Sequence, residues 1–297
     1  MTIMKTTLDQ ATRPFNLDYT LRCGQVFRWE KRSGWWYGVV AGRVIKIRQR
    51  SDALEYEGAQ TSFIEKYFRL DDHLPTILSR ISKDLHIRDA IRNFRGLRLI
   101  RQDPWECLIS YVCATYKNIP AIKEMINNLS EQFGREMTFD DYRFYAFPRP
   151  NSLANAGATE LACCKLGFRA KNMRETARQI EDGSVCFDEL ESMRYEAAKR
   201  VLLKLPGVGN KVADCVLLFS LNKLEAFPVD VWVKRAILNN YYEHFDHEFI
   251  QKAGGKGSLT SSEYKRISSF AREYFGEYAG YAQQYLFHNE RSVCQKA

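Results

Sequence analysis

The sequence predicts an α+β fold: an N-terminal antiparallel β-sheet module packed on a mainly helical two-part domain that contains a helix-hairpin-helix motif. Three observations predict it. Apolar residues alternate with polar ones around residues 43–48. From about residue 100 the apolar period becomes helical. Near residue 207 a Gly-x-Gly turn separates two helical stretches. The division falls at about residue 100, giving a β-rich unit over 1–100 and a helical unit over 101–297, with the hairpin motif at 195–221.

Taken in order, Gly34 to Val40 (GWWYGVV) and Arg43 to Arg48 (RVIKIR) flank the short turn Ala41-Gly42. Ile45 and Ile47 point one way and Lys46 and Arg48 the other, so the pair reads as a hairpin with a half-buried second strand. Phe27 to Trp29 is expected to add a strand before a turn at Lys31 to Gly34. Asn118-Ile119-Pro120 opens a helix, with Pro120 suited to its first turn. Ile122, Met125, Ile126, Leu129 and Phe133 share one face of it, and Gly134 closes it. Further helices follow, and the Gly/Ser-rich segment Gln251 to Ser262 is expected to be a surface loop.

The chain has 297 residues, 45% hydrophobic and 27% charged, which suits one large domain or two to three small ones and excludes a disordered or fibrous protein. Lys plus Arg number 44 against 36 Asp plus Glu, a net charge of +8. That surplus favours a polyanionic partner but is also common in soluble proteins, so charge alone decides nothing. Eight cysteines occur: Cys23, Cys107, Cys113, Cys163, Cys164, Cys186, Cys215 and Cys294. Most sit in apolar stretches and read as buried free thiols of a reducing compartment. There is no CxxC pair for zinc, and only Cys294 lies near the C-terminus, where an iron–sulfur cluster would need four. With no long apolar run at the N-terminus or elsewhere, the expectation is a soluble intracellular protein.

The most informative stretch is Lys204 to Val233, KLPGVGNKVADCVLLFSLNKLEAFPVDVWV. Tyr195 to Leu205 reads as a helix, Pro206 stops it, and Gly207-Val208-Gly209 makes a tight turn. Lys211 to Leu221 restarts a helix with Val212, Val216 and Phe219 on a buried face. Glycines let backbone N–H groups approach a phosphate, and the new helix adds its positive end. Such a turn grips one DNA strand without reading sequence. The alternative is an ordinary helical hairpin.

The pairing of LPGVGNKVADC with FPVDVWV resembles the helix-hairpin-helix DNA glycosylases, specifically the 8-oxoguanine DNA glycosylase/lyase family. Further blocks extend the resemblance, in the family's order, over nearly the whole chain. They are CGQVFRW (Cys23 to Trp29), RQDPWECLISYVCA (Arg101 to Ala114), KLGFRAK (Lys165 to Lys171) and YAGYAQQYLF (Tyr278 to Phe287). The resemblance implies base excision repair. An 8-oxoguanine is flipped out of double-stranded DNA, its N-glycosidic bond is cleaved through a lysine Schiff base, and the strand is nicked by β-elimination. It implies no cofactor or metal, a monomer acting on duplex DNA containing 8-oxoguanine, and a location with the genomic DNA, whether nucleoid or nucleus.

The implied roles fall on particular residues. Lys211 is the nucleophile and Asp230 its electrostatic partner. Positive charge develops on the sugar as the glycosidic bond breaks, and a carboxylate stabilises it. A neutral amine can then bond C1′. A free lysine amine is neutral in only about one molecule in 2,500 at pH 7, so the chemistry requires a site that disfavours the charged form. Gln283 is implied to hydrogen-bond the pairing edge of the base, with Phe287 stacked on one face and Cys215 on the other. The Gly24 carbonyl would accept from N7–H, a donor that guanine lacks. Gly207, Val208, Gly209, Arg169, Phe168 and Asn118 make up the DNA-contacting set. The bland alternatives are that Lys211 contacts a phosphate, that Asp230 is a helix cap, and that Phe287 and Cys215 are core residues.

The chain departs from the family's eukaryotic pattern where the cytosine opposite the lesion is read. Tyr116 and Ala121 stand where an Asn and an Arg are expected, Phe168 replaces a tyrosine, and Trp232 replaces a histidine. A weaker preference for opposite cytosine is expected. Two other readings stay open at this stage: a monofunctional helix-hairpin-helix glycosylase for other damaged bases, and a non-catalytic DNA-binding protein.

Overall fold

Alternating apolar residues build the N-terminal sheet, and helices with one apolar face build the rest. The computed structural model describes residues 3–254 and 257–294, the side chain of Cys294 excepted. In chain order its elements are β1 (Met4–Thr7), α1 (Leu17–Arg22), β2 (Trp29–Arg32), β3 (Trp35–Val40), β4 (Arg43–Arg50), β5 (Ala53–Glu57), α2 (Thr61–Tyr67), α3 (Leu74–Ile81) and α4 (Leu85–Asn93). Next come α5 (Pro104–Cys113), α6 (Ile119–Phe133), β6 (Glu136–Phe139), β7 (Tyr142–Tyr145), α7 (Pro150–Ala154), α8 (Ala158–Cys163), α9 (Arg169–Glu181) and α10 (Phe187–Ser192). The remainder is α11 (Tyr195–Leu202), α12 (Asn210–Ser220), α13 (Val231–Asn240), α14 (His247–Gly254), α15 (Ser261–Phe275) and α16 (Ala279–Cys294).

The five-stranded antiparallel sheet has the order β1-β5-β4-β3-β2. Its central hairpin pairs Val40 with Arg43 and Gly38 with Ile45. Both turn residues are left-handed, Ala41 at φ 49° and Gly42 at φ 71°, the geometry whose twist matches a two-residue hairpin. Ile45 and Ile47 are fully buried while Lys46 and Arg48 are half-buried. β3 is buried along its whole length, unlike a sheet with one wet face. The second hairpin, β6–β7, causes this. Phe139 packs with Trp35, Tyr37, Val39 and Val44, and Asp140 takes the Tyr37 hydroxyl and the Lys46 ammonium.

The structure corrects several sequence expectations. The strand expected at Phe27 to Trp29 runs instead from Trp29 to Arg32. Phe27 turns into the helical core while Trp29 packs across Gly38. The strands β1, β5, β6 and β7 were not anticipated. α11 ends at Leu202, three residues short of Leu205, because successive turns already lead into Pro206. The segment expected to be a loop over Gln251 to Ser262 is helical to Gly254 and again from Ser261. Residues 255 and 256 of it lie outside the described residues. Most of the described cysteines are buried free thiols as expected (Cys23, Cys107, Cys113, Cys164 and Cys215), while Cys163 and Cys186 are exposed.

The helical core is continuous from Leu74 on α3 to Leu286 on α16. α5 is buried on nearly all sides and packs along α12, while α16 packs against α13 and α4. These contacts bring the ends of α12, α13 and α16 together with the turn after α1. None of the described helices is long and apolar enough to cross a membrane.

Candidate active site

One cavity of about 300 Å³ collects all six residues expected to catalyse or to hold the base: Gly24, Lys211, Cys215, Asp230, Gln283 and Phe287. They come from four places in the chain, and each is set by its own element. Lys211 and Cys215 sit one turn apart on α12, so their side chains share a face. Gln283 and Phe287 do the same on α16. Asp230 caps α13: Oδ1 accepts from the Trp232 and Val233 amides at 3.0 and 2.9 Å. Burial pushes its carboxyl above the usual aspartate range, and the positive charge of Lys211 opposes that shift. Capping and facing the cavity are therefore compatible for Asp230.

Lys211 Nζ stands 6.0 Å from the ring centroid of Tyr111. Tyr111 in turn stacks on Phe219, with centroids 5.6 Å apart and planes at 10°. The wall around the amine is thus aromatic and apolar, completed by Cys215, whose thiol burial pushes up. On the opposite side Gly24 has φ +87°, and a Cβ there would lie 2.8 Å from Arg291 Nη1 and 3.3 Å from Phe287 Cε1. Only glycine fits that turn without strain. The peptides on either side of it are held by hydrogen bonds. The Cys23 carbonyl accepts from Gln284 Nε2 at 3.0 Å. The Gln25 carbonyl accepts from Gln102 Nε2 at 2.7 Å and from the Tyr111 hydroxyl at 3.2 Å.

The hairpin before Lys211 lies open. Gly207 (φ +80°) and Gly209 are exposed, and nothing lies within 4 Å of a Cβ built on Gly209. Val208 is buried and anchors the turn, so only its backbone faces outward. Thr176 Oγ1 donates to the Pro206 carbonyl at 3.1 Å, tying the turn to α9. The free amides at the start of α12 form an anion-binding end immediately beside the cavity.

Comparison with known proteins agrees with this geometry. Residues 7–108 match the family described as 8-oxoguanine DNA glycosylase, N-terminal domain, and residues 109–246 match the HhH-GPD superfamily of base excision DNA repair proteins. The N-glycosylase/DNA lyase OGG1 of Arabidopsis thaliana is 31% identical over 300 residues, covering 96% of this chain and 78% of that protein. The chain belongs to the 8-oxoguanine DNA glycosylase/lyase family. The Saccharomyces cerevisiae N-glycosylase/DNA lyase is 30% identical over 312 residues, 91% of this chain and 82% of that protein. The Clostridium acetobutylicum 8-oxoguanine glycosylase/lyase, solved with double-stranded DNA containing cytosine opposite 8-oxoG, aligns at a TM-score of 0.86 and 30% identity over 99% of both chains.

The remaining expected DNA contacts of this glycosylase/lyase are placed unevenly. Asn118 caps α6, accepting from the Ala121 amide at 3.0 Å, and lines the cavity mouth. Tyr116 and Phe168 are 88% and 68% exposed, so both rings are available to DNA. Arg169 is not presented outward. It is buried, donates to the Leu166 and Thr115 carbonyls, and lies under the Phe168 ring. Its guanidinium ties the Tyr116 loop to the start of α9.

The sequence reading missed two groups of residues. Tyr111 lines the cavity and Gln25 braces the turn that carries Gly24, and no periodicity distinguishes them from core residues. Gln25 Nε2 donates to the Thr20 and Arg98 carbonyls while its Oε1 accepts from Ile100 N–H. The second group is a buried network behind α12. Asp214 accepts from Tyr195, Tyr264 and Lys199 at 2.6, 2.6 and 2.8 Å. Burial raises its carboxyl and Lys199 opposes the rise. The Tyr264 oxygen also accepts from Val229 N–H at 3.3 Å, so it links the Lys211 helix to the irregular segment leading into Asp230. The polar residue at 214 inside an apolar helix was the available signal.

Proposed function

We propose that this chain excises 8-oxoguanine from duplex DNA and then cuts the strand at the resulting site, with Lys211 as nucleophile. The observation that carries the reading is the convergence of an amine, a buried carboxylate and a base-sized, aromatic-walled cavity beside a phosphate-gripping turn. The volume sits at the lower end of small-ligand sites, which run from about 300 to 1,000 Å³. A damaged nucleotide flipped from the duplex pays a few kcal/mol in lost stacking and pairing, which contacts in the cavity offset.

In this mechanism the hairpin holds the backbone while the base enters between Phe287 and Cys215. Gln283 receives the N1–H and N2–H donors, and the Gly24 carbonyl receives N7–H. Guanine presents an acceptor at N7 and would face that carbonyl lone pair to lone pair. As the C1′–N9 bond breaks and its electron pair leaves with the base, the Asp230 carboxylate stabilises positive charge on the sugar, and Lys211 Nζ, in its neutral form after giving up a proton, bonds C1′. Loss of a proton from nitrogen and opening of the sugar ring give the Schiff base, from which β-elimination expels the 3′ phosphate. The enzyme acts where genomic DNA lies, inside the cell.

Borohydride reduction during turnover of an 8-oxoguanine duplex tests the reading. The expected result is a covalent protein–DNA adduct that Lys211→Gln abolishes. Base release without any adduct would make the protein a monofunctional glycosylase, and no base release would leave a DNA-binding protein only.

A further inference from the structure

Arg291, a charged residue in the cavity wall, is not used by the mechanism above. It lies on α16 one turn beyond Phe287. Its guanidinium carbon is 5.7 Å from the Phe287 ring centroid. Nη2 donates to the Arg22 carbonyl at 3.4 Å, which sets the guanidinium against the end of α1. Nη1 stands 2.8 Å from the point a Cβ of residue 24 would occupy, so it lies directly beside the Gly24 turn. That nitrogen is buried and has no hydrogen-bond partner. Among the described residues Arg291 forms no ion pair with a carboxylate. A buried charged donor without an acceptor is costly, so its retention calls for an acceptor delivered from outside the chain.

A second atom in the same cavity is in the same condition. Gln283 is 5% exposed, and its Oε1 is buried and unpartnered. The cavity therefore offers an unpaired acceptor on one turn of α16 and an unpaired donor two turns later. An oxidised guanine has the matching pattern: two donors on its pairing edge, and carbonyl oxygens flanking N7–H on the other. With Gln283 on the pairing edge and the Gly24 carbonyl on N7–H, a donor beside Gly24 faces one of those flanking oxygens.

We propose that Arg291 Nη1 donates to the 8-oxygen of the flipped base and stabilises that base as the leaving group. The inference rests on the excision of 8-oxoguanine proposed above. Of the two flanking oxygens, O8 is conjugated with N9 through C8. When the C1′–N9 bond breaks, its electron pair passes to N9 and spreads onto O8, while Lys211 Nζ forms the new bond to C1′. The base then takes up one proton, matched by the proton lost from the lysine nitrogen. A fixed cation at O8 is stronger in that transition state than in the ground state, where the oxygen carries only a carbonyl dipole.

Arg291→Met tests this in three measurements. Single-turnover excision of 8-oxoguanine should fall by about 100-fold, the loss typical of removing one oxyanion donor. Cleavage of a duplex carrying a preformed abasic site should be unchanged, because no base departs in that step. Binding of undamaged duplex should also be unchanged. Arg291→Lys, which keeps the charge but not the planar fork, should recover part of the excision rate. Equal loss of excision and abasic cleavage would reduce Arg291 to a structural tether, and loss of undamaged binding would make it a phosphate contact. A crystal structure of the Lys211→Gln variant with an 8-oxoguanine duplex gives a direct check: no Arg291 nitrogen within about 3.5 Å of O8 overturns the proposal. If the unsubstituted protein releases no 8-oxoguanine, the functional reading itself fails. If it does, and Arg291→Met matches it, only this inference fails.

Discussion

Gly24→Ala puts a methyl group where the cavity has no room. The residue has φ +87°, and the new Cβ would stand 2.8 Å from Arg291 Nη1, 3.3 Å from Phe287 Cε1 and 3.6 Å from Ile119 Cδ1. The left-handed backbone alone costs alanine roughly 1–2 kcal/mol. The Arg291 contact involves the far end of a flexible chain and relaxes cheaply. The Phe287 ring must shift, and the Gly24 peptide cannot swing away freely, because Gln284, Gln102 and Tyr111 hold the carbonyls on either side. The folded state should lose at least roughly 1–2 kcal/mol, a drop of about 2–8 °C in melting temperature. The rate effect should be larger, since a reacting group misplaced by about 1 Å costs about 100-fold. Thermal melting, single-turnover excision of 8-oxoguanine and cleavage of a preformed abasic site measure the three effects separately. Lesion excision should fall far more than abasic cleavage. Excision at the parent rate in a variant with a lowered melting temperature would refute the assignment of the Gly24 carbonyl to lesion recognition.

In the proposed mechanism Asp230 acts as a carboxylate; burial raises its pKa, so the ionised fraction falls as pH drops through a value above the ordinary aspartate range. The excision rate should therefore show an acid limb above about pH 4, and Asp230→Asn should lower the plateau and remove the limb; a limb unchanged in the variant would assign it to another group. Tyr264→Phe removes the hydroxyl that donates to Asp214 and accepts from Val229 N–H. It should cost about 1–3 kcal/mol in stability and slow excision without weakening undamaged duplex binding, because the Lys211 helix and the Asp230 segment lose their shared anchor. A parent excision rate would show that the network serves folding alone. Excision measured against each of the four opposite bases should vary little. Tyr116 and Ala121 offer no amide or guanidinium to read a cytosine, and the Arg169 guanidinium is engaged by backbone carbonyls; a steep preference for cytosine would contradict this.

The candidate site was legible through the resemblance of its sequence blocks to a known family, and local spacing added which of those side chains share a helix face. Lys211 and Cys215, or Gln283 and Phe287, share a helix face by periodicity, and Asp230 precedes an apolar helix as a cap does. The two-residue turn at Ala41-Gly42 and the capped start at Asn118 were readable for the same reason. Arg169 was not. It matches a DNA-contacting pattern in sequence, yet its head group turns inward because the Thr115 and Leu166 carbonyls face it. The β6–β7 hairpin also escaped notice: its short strands are largely exposed and gain their apolar partners only on the sheet face of Trp35 and Tyr37.

Periodicity, capping and turn chemistry act over a few residues, so the chain alone determined its helical faces and the glycine hairpin, while the family resemblance implied which side chains to examine for chemistry. Tertiary packing decided the rest. Separation in sequence carries no information about distance once the chain folds, so only the docking of α16 on α13, and of the Cys23–Gln25 turn on α5 and α16, could bring Gly24, Arg291 and Asp230 to one cavity. The same packing buries these groups, which raises the Asp230 carboxyl and leaves Arg291 Nη1 and Gln283 Oε1 without hydrogen-bond partners.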